Sequence, residues 1–345
     1  MPTHEIYMQR CFELAGLGNG FVAPNPMVGA VLVYKDKIIS EGYHQHYGSA
    51  HAEVNCIHSV AEEDKHLIPL STLYVSLEPC SHFGKTPPCS DLIIKNKIPK
   101  VAVAVLDPNP LVAGNGIKKL EAAGVEVIQN VLNEEGKKLI EKFIYFHQQK
   151  RPFVTLKFAQ SADGFIGQEN KTIAISNEMS KRYVHQLRAE HQAILIGNNT
   201  LKTDNPQLNI RYANGRNPVK IILCKNGNVD TSLNIFQDTE TPIIIINEAI
   251  NREQKNIRWV KIDDVYNVDM VLKKLYELNI QSVLVEGGAK ILNSFISQNK
   301  WNKIIQIKAK KHLKSGIYAP NINQKIEKKI ALGNDDILIF RNRLK

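Results

Sequence analysis

The chain has 345 residues, 43% hydrophobic and 23% charged, which suits a globular protein with room for two separate cores. No apolar run nears the roughly 20 residues that a bilayer-spanning helix needs, and the N-terminus from Met1 to Glu5 lacks the charged-then-apolar layout of a signal peptide. Five cysteines (Cys11, Cys56, Cys80, Cys89, Cys224) are too sparse, and odd in number, for a disulfide framework, so a reducing cytoplasm is expected. The net charge of +10 is spread along the chain and decides no function by itself. Its one dense stretch, residues 308–314, carries four lysines and His312 without interleaved aromatics and reads as a solvated face.

In chain order, residues 3–18 read as a helix and residues 29–39 as a hairpin turning at Lys35-Asp36. A helix starts at His51. Residues 71–77 are β-branched and apolar, a buried strand that ends at the loop carrying Cys80. Another helix begins at Cys89, behind Pro87-Pro88. Residues 101–106 and 125–128 read as strands flanking a helix from near Gly116. Residues 133–149 read as one closing helix, stopped ahead of Arg151-Pro152. We place a domain boundary there, giving domains 1–147 and 148–345. The second half restarts with a strand at 153–159 and a turn at Asp163-Gly164. A helix capped by Asn177 follows, then strands near 193–197, 219–223 and 242–246. A strand at 282–286 leads through Gly287-Gly288 into a helix through Phe295. Alternation of this kind argues for layered α/β units.

The chemistry concentrates in His51-Ala52-Glu53, Pro79-Cys80 and Pro88-Cys89. One imidazole and two thiolates can hold Zn2+ and leave a fourth position for water, whose pKa such an ion lowers to near 7. Glu53, two residues from the histidine, is placed to carry protons. A metal-free acid beside a His/Cys/Cys set is the arrangement of zinc base deaminases. A structural zinc site completed by His82, or a pair of buried thiols, is the competing reading, and it gives no reason for an acid at position 53.

Further motifs run in order: Pro24-Asn25-Pro26-Met27-Val28-Gly29, Gly42-Tyr43-His44, Leu77-Glu78-Pro79-Cys80-Ser81-His82, Gly84-Lys85-Thr86-Pro87-Pro88-Cys89 and Asp107-Pro108-Asn109-Pro110. Together they resemble the deaminase half of the bifunctional riboflavin-biosynthesis RibD family. The nine-residue step between the cysteines differs from the two-residue gap usual in cytidine and nucleic-acid deaminases. The resemblance implies a phosphoribosylated diaminopyrimidine substrate that loses an amino group as ammonia. It implies substrate contacts from Asn25, His44, His82 and Lys85, with Lys85 suited to a phosphate. Asn25 could instead make an Asx turn, and Asp107 and Asn109 could form a turn or line the site.

Leu156-Lys157, Ala159, Ser161 and Asp163-Gly164 are similar to the opening of the family's reductase half. Val184-His185 with Leu187-Arg188-Ala189, the run from Gly197 through Thr200, Asp204, Pro206 and Leu208 to Arg211, and Val285-Glu286-Gly287-Gly288 continue it. The resemblance implies NADPH-dependent reduction of ribosyl to ribityl, with Lys157 polarising the sugar carbonyl. Thr172, Arg188, Leu208, Arg211 and Glu286 would then contact substrate. Ala159, Ala174, Thr200 and Asp204 would line the NADPH cleft, with Gly287-Gly288 letting backbone approach a pyrophosphate at a helix N-terminus. Ala174, Asn205, His191-Gln192 and residues 309–314 depart from the family pattern and put reductase rate and cofactor geometry in question.

The expected fold class is therefore α/β, an N-terminal cytidine-deaminase-like three-layer α/β/α domain followed by a C-terminal dihydrofolate-reductase-like α/β domain. The expected partners are a small phosphorylated pyrimidine and further copies of the chain in a homo-oligomer, with neither nucleic acid nor membrane.

Overall fold

Buried positions recur at Tyr7, Met8, Cys11, Phe12 and Ala15, the stripe that turns α1 (His4–Gly16) into a one-sided helix. The structure, a computed structural model, describes residues 3–83, 87–109, 113–169 and 171–342. The chain divides into two compact units, Met1–Gln149 and Lys150–Lys345.

In the first unit α1 is followed by β1 (Gly29–Tyr34), β2 (Lys37–Tyr43), α2 (Ala52–His58), β3 (Thr72–Leu77), α3 (Cys89–Lys95), β4 (Lys100–Val105), α4 (Asn115–Ala122) and β5 (Glu126–Ile128). The strands form one sheet in the order β2-β1-β3-β4-β5, parallel from β3 to β5. Period-two alternation sends Ala30, Leu32, Leu73, Val75, Val101 and Val103 to one face, where Cys56 of α2, Ile93 of α3 and Leu120 of α4 cover them. Val31, Tyr74, Ala102 and Ala104 go to the other face, under α1 and the closing segment. That is the expected α/β/α layering. The hairpin turns at Lys35 (φ 45°) and Asp36 (φ 63°), both left-handed as a two-residue turn between twisted strands requires.

The closing segment corrects one expectation. Residues 133–149 form two helices, α5 (Asn133–Leu139) and α6 (Glu141–Gln149), parted at Ile140 (φ −107°). Gly136 lies so near the sheet that a Cβ there would stand 2.6 Å from Val105 Cγ2. The helix leaves its path one turn later and buries Ile140 and Phe143 in the same core.

The second unit contains β6 (Phe153–Gln160), β7 (Phe165–Gly167), α7 (Glu178–Ala189), β8 (Ala193–Gly197), α8 (Asn198–Asp204), β9 (Val219–Leu223), β10 (Ile243–Asn247), β11 (Arg252–Gln254) and β12 (Ile257–Lys261). After these come α9 (Val268–Glu277), β13 (Ser282–Val285), α10 (Ala289–Ser297), β14 (Lys303–Lys308), β15 (Ile317–Tyr318), β16 (Ile326–Leu332) and β17 (Asp335–Arg341). Its main sheet has ten strands in the order β11-β12-β10-β9-β8-β13-β6-β14-β17-β16. The seven from β12 to β14 run parallel. Helices cover both faces, which is why β10 reads as an unbroken run of four isoleucines. The returning strand β13 lies between β8 and β6, so β6, β8 and β13 bring their carboxyl ends together, where open α/β sheets place ligands.

The hairpin β16–β17 also braces α7. Asp335 Oδ2 accepts from Asn177 N (2.8 Å) and Ser180 Oγ (2.7 Å), while Asn177 Oδ1 caps Ser180 N. Among the described residues no helix is long and apolar enough to cross a membrane.

Candidate functional site

In the first unit three elements converge on one point. His51 is the N-cap of α2, Cys80 follows the end of β3, and Cys89 opens α3. His51 Nδ1 lies 3.6 Å from Cys80 Sγ and 3.4 Å from Cys89 Sγ. A tetrahedral zinc with bonds of about 2.0 Å to nitrogen and 2.3 Å to sulfur needs N···S edges of roughly 3.5 Å, so the donor set fits that ion. Among the described residues the cluster holds these three donors, and His82 is outside it. Among the described residues no fourth protein ligand joins them to complete the competing structural site.

Glu53, one residue into α2, is buried beside the Cys80 and Cys89 thiols. Burial, then the Cys80 sulfur, pushes its carboxyl up to about 7. The Cys89 hydrogen bond, ahead of the one to His51, draws the Cys80 thiol down to about 4, whereas Cys89, as the donor, is pushed up. His44 stands edge-on to His51, ring centroids 5.5 Å apart. Its Nδ1 donates to Ala50 O (3.0 Å), which leaves Nε2 to accept from Asn25 Nδ2 (3.1 Å). That contact fixes the Asn25 amide so that its oxygen faces away from His44. Burial lowers the His44 pKa. Asp107 Oδ1 accepts from Asn109 N (2.8 Å), the Asx turn among the two readings left open, and burial pushes the Asp107 carboxyl up to about 6. Lys85 lies outside the described residues, as do Gly84, Thr86 and Pro110.

In the second unit the reductase set gathers at the carboxyl ends of β6 and β13. Lys157 Nζ is 3.5 Å from Glu286 Oε2, and Arg188 of α7 grips the same carboxylate through Nε (2.8 Å) and Nη2 (3.0 Å). The donor fork of Arg188 is therefore engaged by Glu286 and does not stand open toward a phosphate. Lys157 is likewise a paired ammonium. Burial raises the Glu286 pKa, but Arg188 and Lys157 outweigh it and hold the carboxyl at about 2. His185 Nδ1 accepts from Arg211 N (3.1 Å), and burial, with Arg188 and Arg211 nearby, lowers its pKa to about 4. Arg211 itself is exposed, with Nη1 on Gln207 and Asn209. Leu208 is buried at φ 55°.

Gly288 (φ 70°) caps α10, and a Cβ there would come within 3.1 Å of Thr200 Oγ1. Gly287 sits so close to Ile196 Cα that a Cβ would be 2.7 Å away. Asn198 Oδ1, at the start of α8, is buried without a hydrogen-bond partner. The side-chain-free N-terminus of α10, Thr200 and this orphaned acceptor suit a bound cofactor at the strand ends. Asp204 closes α8, its pKa raised by burial, and Ala159 lies on β6. Thr172 Oγ1 is spent on Thr203 O (2.9 Å).

Three departures from the family pattern have structural uses here. Asn205 takes the left-handed end of α8 (φ 41°) and holds Asn234. His191 ties Leu187 O to Thr155. Lys311 Nζ reaches Ala174 O (2.7 Å), while Asp163 accepts from Leu313 N and Lys314 N, so residues 309–314 are fastened to the turn after β6.

Comparison with known proteins agrees with both halves. Residues 1–105 match the cytidine and deoxycytidylate deaminase zinc-binding region, and residues 152–309 match the RibD C-terminal domain. The riboflavin biosynthesis protein RibD of Aquifex aeolicus is 38% identical over 97% of this chain and 97% of its own length. The chain belongs to the RibD family. The RibD of Bacillus amyloliquefaciens is 40% identical, covering 87% of this chain and 82% of its own. Among solved structures, RibD of Acinetobacter baumannii superposes with a TM-score of 0.88 at 29% identity, over 98% of each chain. The diaminohydroxyphosphoribosylaminopyrimidine deaminase/5-amino-6-(5-phosphoribosylamino)uracil reductase of Thermotoga maritima does so with 0.87 at 37% identity, also over 98% of each. This member of the family is accordingly a bifunctional enzyme of riboflavin biosynthesis, a zinc-dependent deaminase and an NADPH-dependent reductase acting on a small pyrimidine.

One residue that sequence reasoning quoted without a role is Glu78. Its buried carboxylate accepts backbone N–H groups from across the unit.

Proposed function

We propose that His51, Cys80 and Cys89 hold the zinc and that Glu53 is the acid/base of deamination. The convergence of three donors, with a buried carboxylate against them, carries this reading. Zinc, when bound there, supplies a water acidified toward neutrality. Glu53 would accept a proton from the attacking water at its carboxylate and give it to the amine that leaves as ammonia. His44, locked by Ala50, orients Asn25 so that its amide oxygen meets a donor edge of the ring. His82, and Lys85 through the phosphate, hold the substrate in place; positioning of this kind is a large part of such catalysis.

In the second unit Lys157 is assigned to the sugar carbonyl, and Glu286 keeps it charged and aimed. Arg211, whose Nη1 donates to the neutral amides of Gln207 and Asn209, is assigned to the substrate phosphate, with Thr172, Leu208 and Arg188 shaping that side. NADPH, when bound, supplies the hydride; Gly287, Gly288, Thr200 and Asp204 would receive it, with Ala159 and Ala174 lining the cleft. The enzyme is proposed to act in the cytoplasm, consistent with free thiols at all five cysteines, as a homo-oligomer and without nucleic acid.

Glu53→Gln is expected to keep zinc in full stoichiometry and to lose deamination by about 10²–10⁴-fold or more. Metal content and ammonia release check this together. Near-normal ammonia release from the zinc-loaded variant would overturn the assignment.

A further inference from the structure

Glu78 and Pro79 are the two residues between β3 and the ligand Cys80, and both are fastened to another element. Glu78 N donates to Val105 O (2.9 Å), which extends the β3–β4 pairing one step. The side chain is buried, at 3% exposure. Its Oε2 accepts from Asp107 N (3.2 Å) and Gly114 N (2.9 Å), and Oε1 from Gly116 N (2.9 Å) and Ile117 N (3.4 Å). Gly114, the N-cap of α4 (φ 76°), has no side chain to cap with, so Glu78 caps that helix from a different part of the fold. A carboxylate at a helix N-terminus is also favoured by the helix dipole. The carbonyl of Pro79 is held as tightly: a Cβ on Gly116 would fall 2.0 Å from Pro79 O. On its other side Cys80 is gripped by α3, since its carbonyl accepts from Ser90 N (3.1 Å) and its sulfur from Cys89 N (3.3 Å).

We propose that Glu78 is a positioning residue of the metal centre, which fixes the Cys80 sulfur by clamping the Glu78–Pro79 peptide onto the N-terminus of α4. It touches neither metal nor substrate and acts through the backbone of Cys80. This rests on the zinc assignment made above. Glu78→Gln puts an amide donor where an oxygen now accepts two N–H groups, so two of the four bonds become donor–donor contacts. Residues that orient a metal ligand in this way typically change affinity by about 10–100-fold.

The test uses the full-length protein. Zinc is competed against a chromophoric chelator, and the Co2+-substituted protein is read by its thiolate-to-metal and d–d absorption bands. Glu78→Gln is expected to weaken zinc retention by at least about 10-fold and to shift the Co2+ spectrum. Gly116→Ala leaves the carboxylate intact but pushes on Pro79 O, and should do the same. If Glu78→Gln does not fold, Gly116→Ala carries the test alone. A folded variant with a lowered melting temperature but wild-type zinc competition and Co2+ spectrum would overturn the proposal. Wild-type protein that takes up no zinc would overturn the metal assignment itself.

Discussion

At Glu286 one carboxylate answers two cations in a site that water barely enters, with side-chain exposures of 8% for Glu286, 14% for Arg188 and 15% for Lys157. Removing one partner of a buried pair leaves charge uncompensated and costs about 3–5 kcal/mol. Glu286→Ala should therefore lower the unfolding free energy of the second unit, read from urea titration, by that order as well as abolish reduction. The pH dependence has a definite sign. The folded pKa, about 2, lies below the ordinary value of 4.5, so this group's stabilisation is fully present above about pH 4.5 and is lost as pH falls toward 2. Urea titrations across that range should show the loss in the wild type and not in Glu286→Gln. Both Lys157 and Glu286 stand in motifs that single them out in the sequence. Their partnership is not legible there, because it joins positions 129 residues apart and no local pattern records such a pair. Glu78 was hidden for the same reason: its four donors lie 29 to 39 residues downstream.

Elements were easier to read than contacts where their signals were local. Asn177 before an apolar stripe announced α7 and does cap it, and the two glycines after β13 announced the start of α10. The break at Ile140 left no mark, since neither glycine nor proline stands there. The exposed strand β16, with charges at Glu327, Lys328 and Lys329, lacks the alternation that reveals a half-buried strand. At the start of α10, Gly288 holds a backbone angle that costs an L-residue about 1–2 kcal/mol. Gly288→Ala should shift the helix N-terminus toward Thr200 and raise the NADPH dissociation constant by roughly 10-fold, an amount of energy of the same size. Fluorescence titration of NADPH reads this directly. Unchanged affinity would mean that the cofactor does not approach this turn.

On the scale of the whole chain, each unit has its own sheet and its own cores, and residues 149 and 150 meet between the two. A chain cut at that point should give a first piece that releases ammonia without consuming NADPH. The second piece should oxidise NADPH only when supplied with the deaminated pyrimidine. NADPH oxidation by the second piece on the original diaminopyrimidine would contradict the order of steps.

The bond from Asp335 to Asn177 and Ser180 has a consequence for how the reductase half is completed. α7, which delivers Arg188 to Glu286, is steadied at its beginning by a residue more than 150 positions further along the chain. A chain stopped short of position 335 would keep Lys157, Arg188 and Glu286 and still hold the guanidinium on a loosened rod.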